Sequence, residues 1–294
     1  MRIRMAENFR AVFYAPFYAA QALGFYAREG VEVELMTSSA PGGGPAALAA
    51  GSADVTWGGP LRVMKARDED PTSPLVCFCE VVGRDPFFLV GDGDAQSFRL
   101  EHLARLRFAT VSEVPTPWLC LQHDLRERGI DPAKLKRITD GTMGGNLAAL
   151  RERRLDAIQV FEPYASLAVR DGANVLYAAS ARGPTVYTTF LATRAGIERH
   201  RSAFAAMTRA MRHMQDWLLA HSANDLAAAV VPFYPEVERD ILRNSLERYL
   251  QGELWSRSTR VSPEGFARLG ESLLSGGYIS RRPVYADCVD ASLA

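Results

Sequence analysis

Short runs rich in β-branched and aromatic residues alternate with helix-forming runs along the chain, and this alternation restricts the fold to α/β layering. Strand signals fall at Ile3–Ala6, Val31–Met36, Val55–Trp57 and Leu75–Val82, with helix signals between them at Pro16–Arg28, Pro45–Ala50 and Pro60–Arg67. Within the second strand Val31-Glu32-Val33-Glu34-Leu35 alternates with period two, as a half-buried strand does. A second cycle follows: strands at Phe108–Val111, Leu135–Ile138, Ala157–Phe161 and Val175–Ala178, and helices at Pro117–Arg128, Asn146–Arg153 and Pro163–Arg170. From Ser202 onward the pattern is helical, at Ser202–Ala220, Asn224–Val231, Glu236–Tyr249 and Pro263–Leu274. Turn-rich joints stand at Gly91–Asp94 and Ala181–Thr185.

The two cycles echo each other. Ala47-Leu48 with Asp54-Val55, and Ala149-Leu150 with Asp156-Ala157, share the pattern A-L-x5-D-apolar, 102 positions apart. Each copy sits where a helix hands over to a strand, which points to two lobes of the same local architecture.

Composition narrows the function. Of 294 residues, 34 are Lys or Arg and 34 Asp or Glu, so the net charge is zero. A nucleic-acid or anionic-membrane binder wants a basic excess, and neither partner is expected. No apolar stretch is long enough to span a bilayer. Met1-Arg2-Ile3-Arg4-Met5 carries no apolar leader core, so the chain as given reads as cytoplasmic, or as periplasmic or otherwise extracytoplasmic if a leader was trimmed. The four cysteines lack metal-ligand spacing, and they read as buried free thiols, with Cys77 and Cys79 on one face of a strand. No metal is expected.

The motifs for phosphate-loop, dinucleotide, zinc-protease and nucleophile-elbow chemistry are all missing from the sequence, and the five histidines fall in helices or at helix ends. What recurs instead is a junction of strand, small-residue turn and helix. The first lobe has Tyr14–Tyr18, Ser38–Pro45 and Thr56–Pro60; the second has Ser112–Trp118, Asp140–Asn146 and Phe161–Tyr164. Ligands of open α/β sheets bind beyond the carboxyl ends of the strands, where such junctions gather and helix N-termini offer donors. The candidate binding residues are therefore Tyr14, Phe17, Tyr18, Ser38, Ser39, Trp57, Gly58 and Gly59 in the first lobe. Those of the second are Pro115, Thr116, Trp118, Asp140, Gly144, Gly145, Phe161, Glu162 and Tyr164, with Tyr187 at the return crossing. Aromatic faces suit a flat ligand, and Trp57 and Trp118 are the rings placed best for it. Glu80, in an apolar strand, needs a partner such as Arg84 or an amino group on a ligand ring.

The order of residues carries a family resemblance. Phe17-Tyr18-Ala19-Ala20-Gln21-Ala22-Leu23-Gly24-Phe25-Tyr26-Ala27-Arg28-Glu29-Gly30-Val31-Glu32-Val33 resembles the opening of the nitrate/sulfonate/taurine and thiamine-pyrimidine-precursor binding proteins. Ala47–Val55 is similar to their A-L-x-x-G-x-x-D-[FV] segment, and Leu103–Ala109 to the run that opens their second lobe. Leu155-Asp156-Ala157 followed by Glu162-Pro163 is similar to their x-D-A…E-P segment. The resemblance covers nearly the whole chain.

It implies a periplasmic-binding-protein type II fold: two doubly wound α/β lobes, residues 1–86 with 190–294 and residues 87–189, joined by crossovers near Arg84–Leu89 and Tyr187–Ala192. It implies a receptor that closes over a small molecule and hands it to an ABC permease, with no cofactor. An enzymatic branch, a pyridoxal-phosphate pyrimidine synthase, has a Lys and a His where this chain has Gly58 and Arg62. That branch also has a cysteine-rich run where this chain has Thr185-Val186-Tyr187-Thr188-Thr189, so catalysis is not expected. The aromatic set with Glu80 and Glu162 favours a planar heteroaromatic, pyrimidine-like ligand such as a thiamine precursor; a sulfonate- or nitrate-like anion is the alternative.

Overall fold

The computed structural model describes residues 1–37 and 42–293, and the Ser38 and Ser39 candidates lie outside them. The chain forms two five-stranded sheets, each the centre of an α/β lobe. The first contains β1 (Arg2–Ala6), β2 (Glu32–Met36), β3 (Val55–Gly58), β4 (Leu75–Val82) and, from much later in the chain, β10 (Thr188–Thr193), in the order β2-β1-β3-β10-β4. The second contains β5 (Phe88–Gly91), β6 (Phe108–Ala109), β7 (Arg137–Ile138), β8 (Ala157–Val160) and β9 (Asn174–Ala178), in the order β7-β6-β8-β5-β9. In each sheet one strand runs against its neighbours, β10 in the first and β5 in the second. These are the strands on which the chain enters the other lobe and returns. Their stretches were expected to be connectors; instead they pair on both sides, because each lobe borrows a strand at its crossing point.

Helices α1 (Ala15–Ala22), α2 (Phe25–Arg28), α3 (Gly43–Ala49) and α4 (Leu61–Glu69) belong to the first lobe, and α5 (Thr116–Glu127), α6 (Met143–Arg151) and α7 (Tyr164–Arg170) to the second. The helix expected over Pro16–Arg28 breaks at Gly24, whose φ of 73° suits glycine. The C-terminal part supplies α8 (Arg194–Ala220), α9 (Ala223–Val230), α10 (Arg239–Gln251), α11 (Pro263–Ser275) and α12 (Tyr285–Cys288). Helix α8 starts earlier than the periodicity suggests: Thr193 caps it by accepting from Gly196 N, and it bends at His200. It packs on α1, α2, β4 and β10, whereas α10 reaches α7 and α11 packs on α5. The C-terminal helices therefore touch both lobes.

The sequence echo is a structural repeat. Asp54 accepts from Arg4 N and, in a fork, from Arg4 Nε and Nη2; Asp156 does the same with Arg107. In both copies the Asp N–H donates back to the same arginine's carbonyl, at 2.9 and 2.8 Å. A backbone-anchored Arg–Asp fork thus sets the register of the strand that follows each helix.

All four cysteines are free and buried. Cys77 and Cys79 do not share a face. A β-bulge against β10 puts Cys79 at φ 54°, so Cys77 packs with Cys288 on one side while Cys79 joins the main core on the other. Among the described residues no helix is long and apolar enough to cross a membrane.

Candidate functional site

Between the lobes, at the carboxyl ends of the strands, lies a cavity with about 500 Å³ of empty space, mouth included. That is room for a small molecule. Tyr14, Gly59, Pro115, Thr116, Phe161 and Tyr187, six of the residues expected from sequence, line it. Asn8, Phe9, Phe13, Leu61, Arg62, Phe87, Val114 and Tyr278 complete the wall.

Three helices begin here, α1 behind Tyr14, α4 behind Gly59 and Pro60, and α5 behind Pro115, and none has a side-chain cap. Helices α8, α9 and α11, which start elsewhere, are capped by Thr193, Ser222 and Ser262. The ends of α4 and α5 bring helix dipoles to the cavity. Helix α1 instead continues a tight turn over Val12–Tyr14, in which Ala15 N donates to Val12 O and Pro16 has no N–H. In α4, Arg62 N likewise donates to Gly59 O. Arg62 adds a full positive charge in the first turn of α4, where the helix dipole opposes it. Its Nε is buried and has no hydrogen-bond partner among the described residues. Gly42 makes the space for it, since a Cβ there would stand 2.9 Å from Arg62 Nη1. No carboxylate lines the cavity among the described residues. The pocket is a positive one.

Polar groups in the wall are oriented. Asn8 Oδ1 accepts from Gly42 N at 3.0 Å and its Nδ2 donates to the Tyr14 hydroxyl at 3.0 Å, leaving the tyrosine proton to donate elsewhere. Burial pushes the Tyr14 and Tyr187 hydroxyls well above the usual tyrosine range, so both stay protonated. Rings close the floor: Phe13 meets Phe161 edge-on at 5.2 Å and Tyr187 at 5.8 Å, and Phe9 reaches Phe161 across the lobes at 6.2 Å.

Other expected residues stand elsewhere. Trp57 and Phe17 stack on each other at 4.7 Å behind the wall, and Tyr18 is buried with its hydroxyl on Glu7; all three are core. Gly58 pairs with Thr189 inside the first sheet. Trp118 packs on Phe108 with the Arg137 guanidinium 3.9 Å above its ring, away from the cavity. Asp140 is exposed, and Gly145 N donates to the cap of α6, Thr142. Tyr164 lines an outer groove, with Gly144 beside its ring.

The two carboxylates expected to take a ligand amino group are occupied within the protein. Glu80 accepts from Ser262 N at 2.7 Å, not from Arg84, whose guanidinium binds Glu253. Burial pushes Glu80 up to about 7. Glu162 accepts from Ser166 N and the Ser245 hydroxyl and pairs with Arg248 Nε at 3.0 Å, joining α7 to α10.

Some of the residues missed from sequence had a signal that could have found them. Asn8 and Phe9 lie in the first strand–helix junction, which begins at Glu7, before the Tyr14 at which it was expected to open. Arg62 is the position at which the chain departs from the synthase-like pattern. Tyr278 has no local signal, since it arrives from beyond α11.

The model of the NMT1/THI5 like family matches residues 12–224. The Bacillus subtilis (strain 168) protein provisionally described as binding protein YtlA is 24% identical over 296 residues, spanning 100% of this chain and 89% of that protein. The periplasmic aliphatic sulphonate binding protein SsuA from Escherichia coli superposes with a TM-score of 0.76 at 16% identity, over 96% of this chain and 94% of SsuA. The ligand binding component of an ABC-type import system from Staphylococcus aureus, solved with zinc bound, gives 0.75 at 16% identity, over 100% and 97%. At such identities the likeness is one of fold, the two-lobed periplasmic-binding-protein arrangement.

Proposed function

The chain belongs to the NMT1/THI5-like family, and from that premise we propose that it is the solute-binding component of an ABC-type importer, closing over a small anion and releasing it unaltered to a permease. The neighbouring binding proteins of similar fold support the receptor role. The observation that carries the ligand class is Arg62: its buried Nε has no partner among the described residues, and it stands in a cavity where α4 and α5 begin and no described residue brings a carboxylate. A sulfonate or carboxylate head satisfies Arg62, the N–H groups and the tyrosine protons together. Lobe closure then excludes water and strengthens those contacts. This role puts the protein outside the cytoplasmic membrane, beside its permease.

A planar, pyrimidine-like ligand keeps the support of the aromatic floor. It loses the two carboxylates that would recognise its amino group, because Glu80 and Glu162 are bound internally. Calorimetry separates the readings: methanesulfonate is expected to bind and an aminopyrimidine not, and Arg62→Gln is expected to weaken methanesulfonate at least about tenfold, as for a lost charged hydrogen bond. Tight aminopyrimidine binding indifferent to Arg62→Gln would reverse the ligand class.

A further inference from the structure

On the outer side of the cleft lies a second, larger groove with about 1390 Å³ of empty space, mouth included. Phe9, Val114 and Phe161 form the wall that separates it from the inner cavity, since all three line both. The groove runs between Tyr164 and Leu167 of α7 and the Val237 segment ahead of α10, and its lining is mainly apolar. Along the wall the rings of Phe9, Phe161 and Tyr164 follow one another, with centroids 6.2 and 6.4 Å apart.

The charged residues that line the groove are Arg10, Glu113 and Glu236. Arg10 is already neutralised, forked onto the buried Glu7 at 3.0 and 3.2 Å. Glu113 gives one carboxylate oxygen to Met143 N, at 2.9 Å, while its other oxygen is buried without a partner among the described residues. Its charge is felt inside the groove: burial and, after it, Glu113 push the Tyr164 hydroxyl above the usual tyrosine range. Glu236 adds an exposed carboxylate at the rim. The groove is therefore negative where the inner cavity is positive.

We propose that the outer groove is a second binding site, separate from the Arg62 cavity, and that it takes a small organic cation: a primary ammonium on an apolar or aromatic body. The ammonium supplies the donor that the Glu113 oxygen lacks, and it lies beside the ring wall, where cation–π attraction adds to the ion pair. The body covers Leu167 and Val237 and removes apolar surface from water. The two carboxylates turn an anion away. A ring amino group that stays neutral lacks the charge for this pairing, so an aminopyrimidine is not a ligand of the groove. The site stands independently of the ligand read from Arg62.

Titration calorimetry on the full chain tests this with benzylammonium and its uncharged counterpart, benzyl alcohol. Benzylammonium is expected to bind at least about tenfold more tightly, as for a charged hydrogen bond. Glu113→Gln keeps an acceptor for Met143 N and is expected to erase that preference while leaving methanesulfonate binding unchanged. Tyr164→Leu, the second variant should the first fail to fold, removes a ring from the wall and is expected to weaken benzylammonium about two- to fivefold. Arg62→Gln is expected not to weaken it. Equal affinities for the two probes, a preference that survives Glu113→Gln, or no binding of benzylammonium overturns the proposal. Each of these results leaves Arg62-dependent methanesulfonate binding, and with it the receptor reading, intact. Benzylammonium binding lost in Arg62→Gln would place the cation in the inner cavity, overturning both the separate groove site and the anion reading.

Discussion

Single residues show how far a side chain's type can mislead about its task. Trp118 stands beside a proline at a strand–helix junction and looks like a stacking platform, yet α5 turns it toward Phe108 and Arg137. Trp118→Ala is therefore expected to leave the dissociation constant for the probe anion unchanged in calorimetry. It lowers the melting temperature modestly, through lost packing and a cation–π contact of about 0.5–1 kcal/mol. Glu80 makes the opposite case: its apolar surroundings flagged it as needing a partner, and the partner is the N-cap backbone of α11. Because burial raises its folded pKa to about 7, the folded state holds a proton that the unfolded chain releases near the ordinary value. Its stabilising protonation is complete at acid pH and is lost as the pH rises through about 7. Glu80→Gln is expected to stabilise the fold by about 1–3 kcal/mol at pH ~8 and to change little at pH ~5, read from denaturant midpoints. A gain equal at both pH values would assign Glu80 an ordinary carboxylate.

At the level of elements, the repeated helix–strand unit shows why much of the layering was legible. The A-L-x5-D pattern is short, but each of its positions has a geometric reason. The Asp anchors a strand start, and the residue three before it ends the preceding helix in a left-handed conformation. In the first copy that residue is Gly51, at φ 67°; in the second it is Arg153, at φ 57°. A non-glycine there is strained by about 1 kcal/mol. Arg153 lies on the surface, and its N–H donates to Leu150 O while its carbonyl accepts from Arg107 Nη2, both backbone groups that a glycine keeps. Arg153→Gly is accordingly expected to raise stability by up to about 1 kcal/mol, less the added freedom of the unfolded chain. A fall in the melting temperature would mean that the Arg153 side chain makes a stabilising contact of its own. Strands β5 and β10 were not legible, because borrowed strands carry no local period different from a connector's; their partners lie about a lobe away in sequence.

The molecule as a whole is held at its crossing by one ionic cluster. Arg182, on the return crossing, contacts Asp85 on the outward crossing and Asp124 of α5, at 2.5 Å to each, and all three side chains are at most 6% exposed. Removing the arginine leaves two buried carboxylates facing each other. Arg182→Gln is expected to destabilise the protein by about 3–5 kcal/mol in denaturant titration. With α10 and α11 each touching the second lobe, that loss falls on both lobes in one transition. Two separated transitions in the wild type would show that the C-terminal helices do not couple them.

By itself the sequence determined the α/β layering, the pair of lobes, the junctions where a ligand can sit and the aromatic character of the cleft, because these follow from local period, turn chemistry and residue order. Only the tertiary structure decided which junction residues face the cleft. It sent Trp57 and Phe17 into the core, tied Glu80 to α11 and Glu162 to α10, and left the Arg62 Nε in the wall with no partner among the described residues. The physical reason is that a polar group's role depends on whether something else in the folded chain satisfies it, and those partners lie scores of residues away.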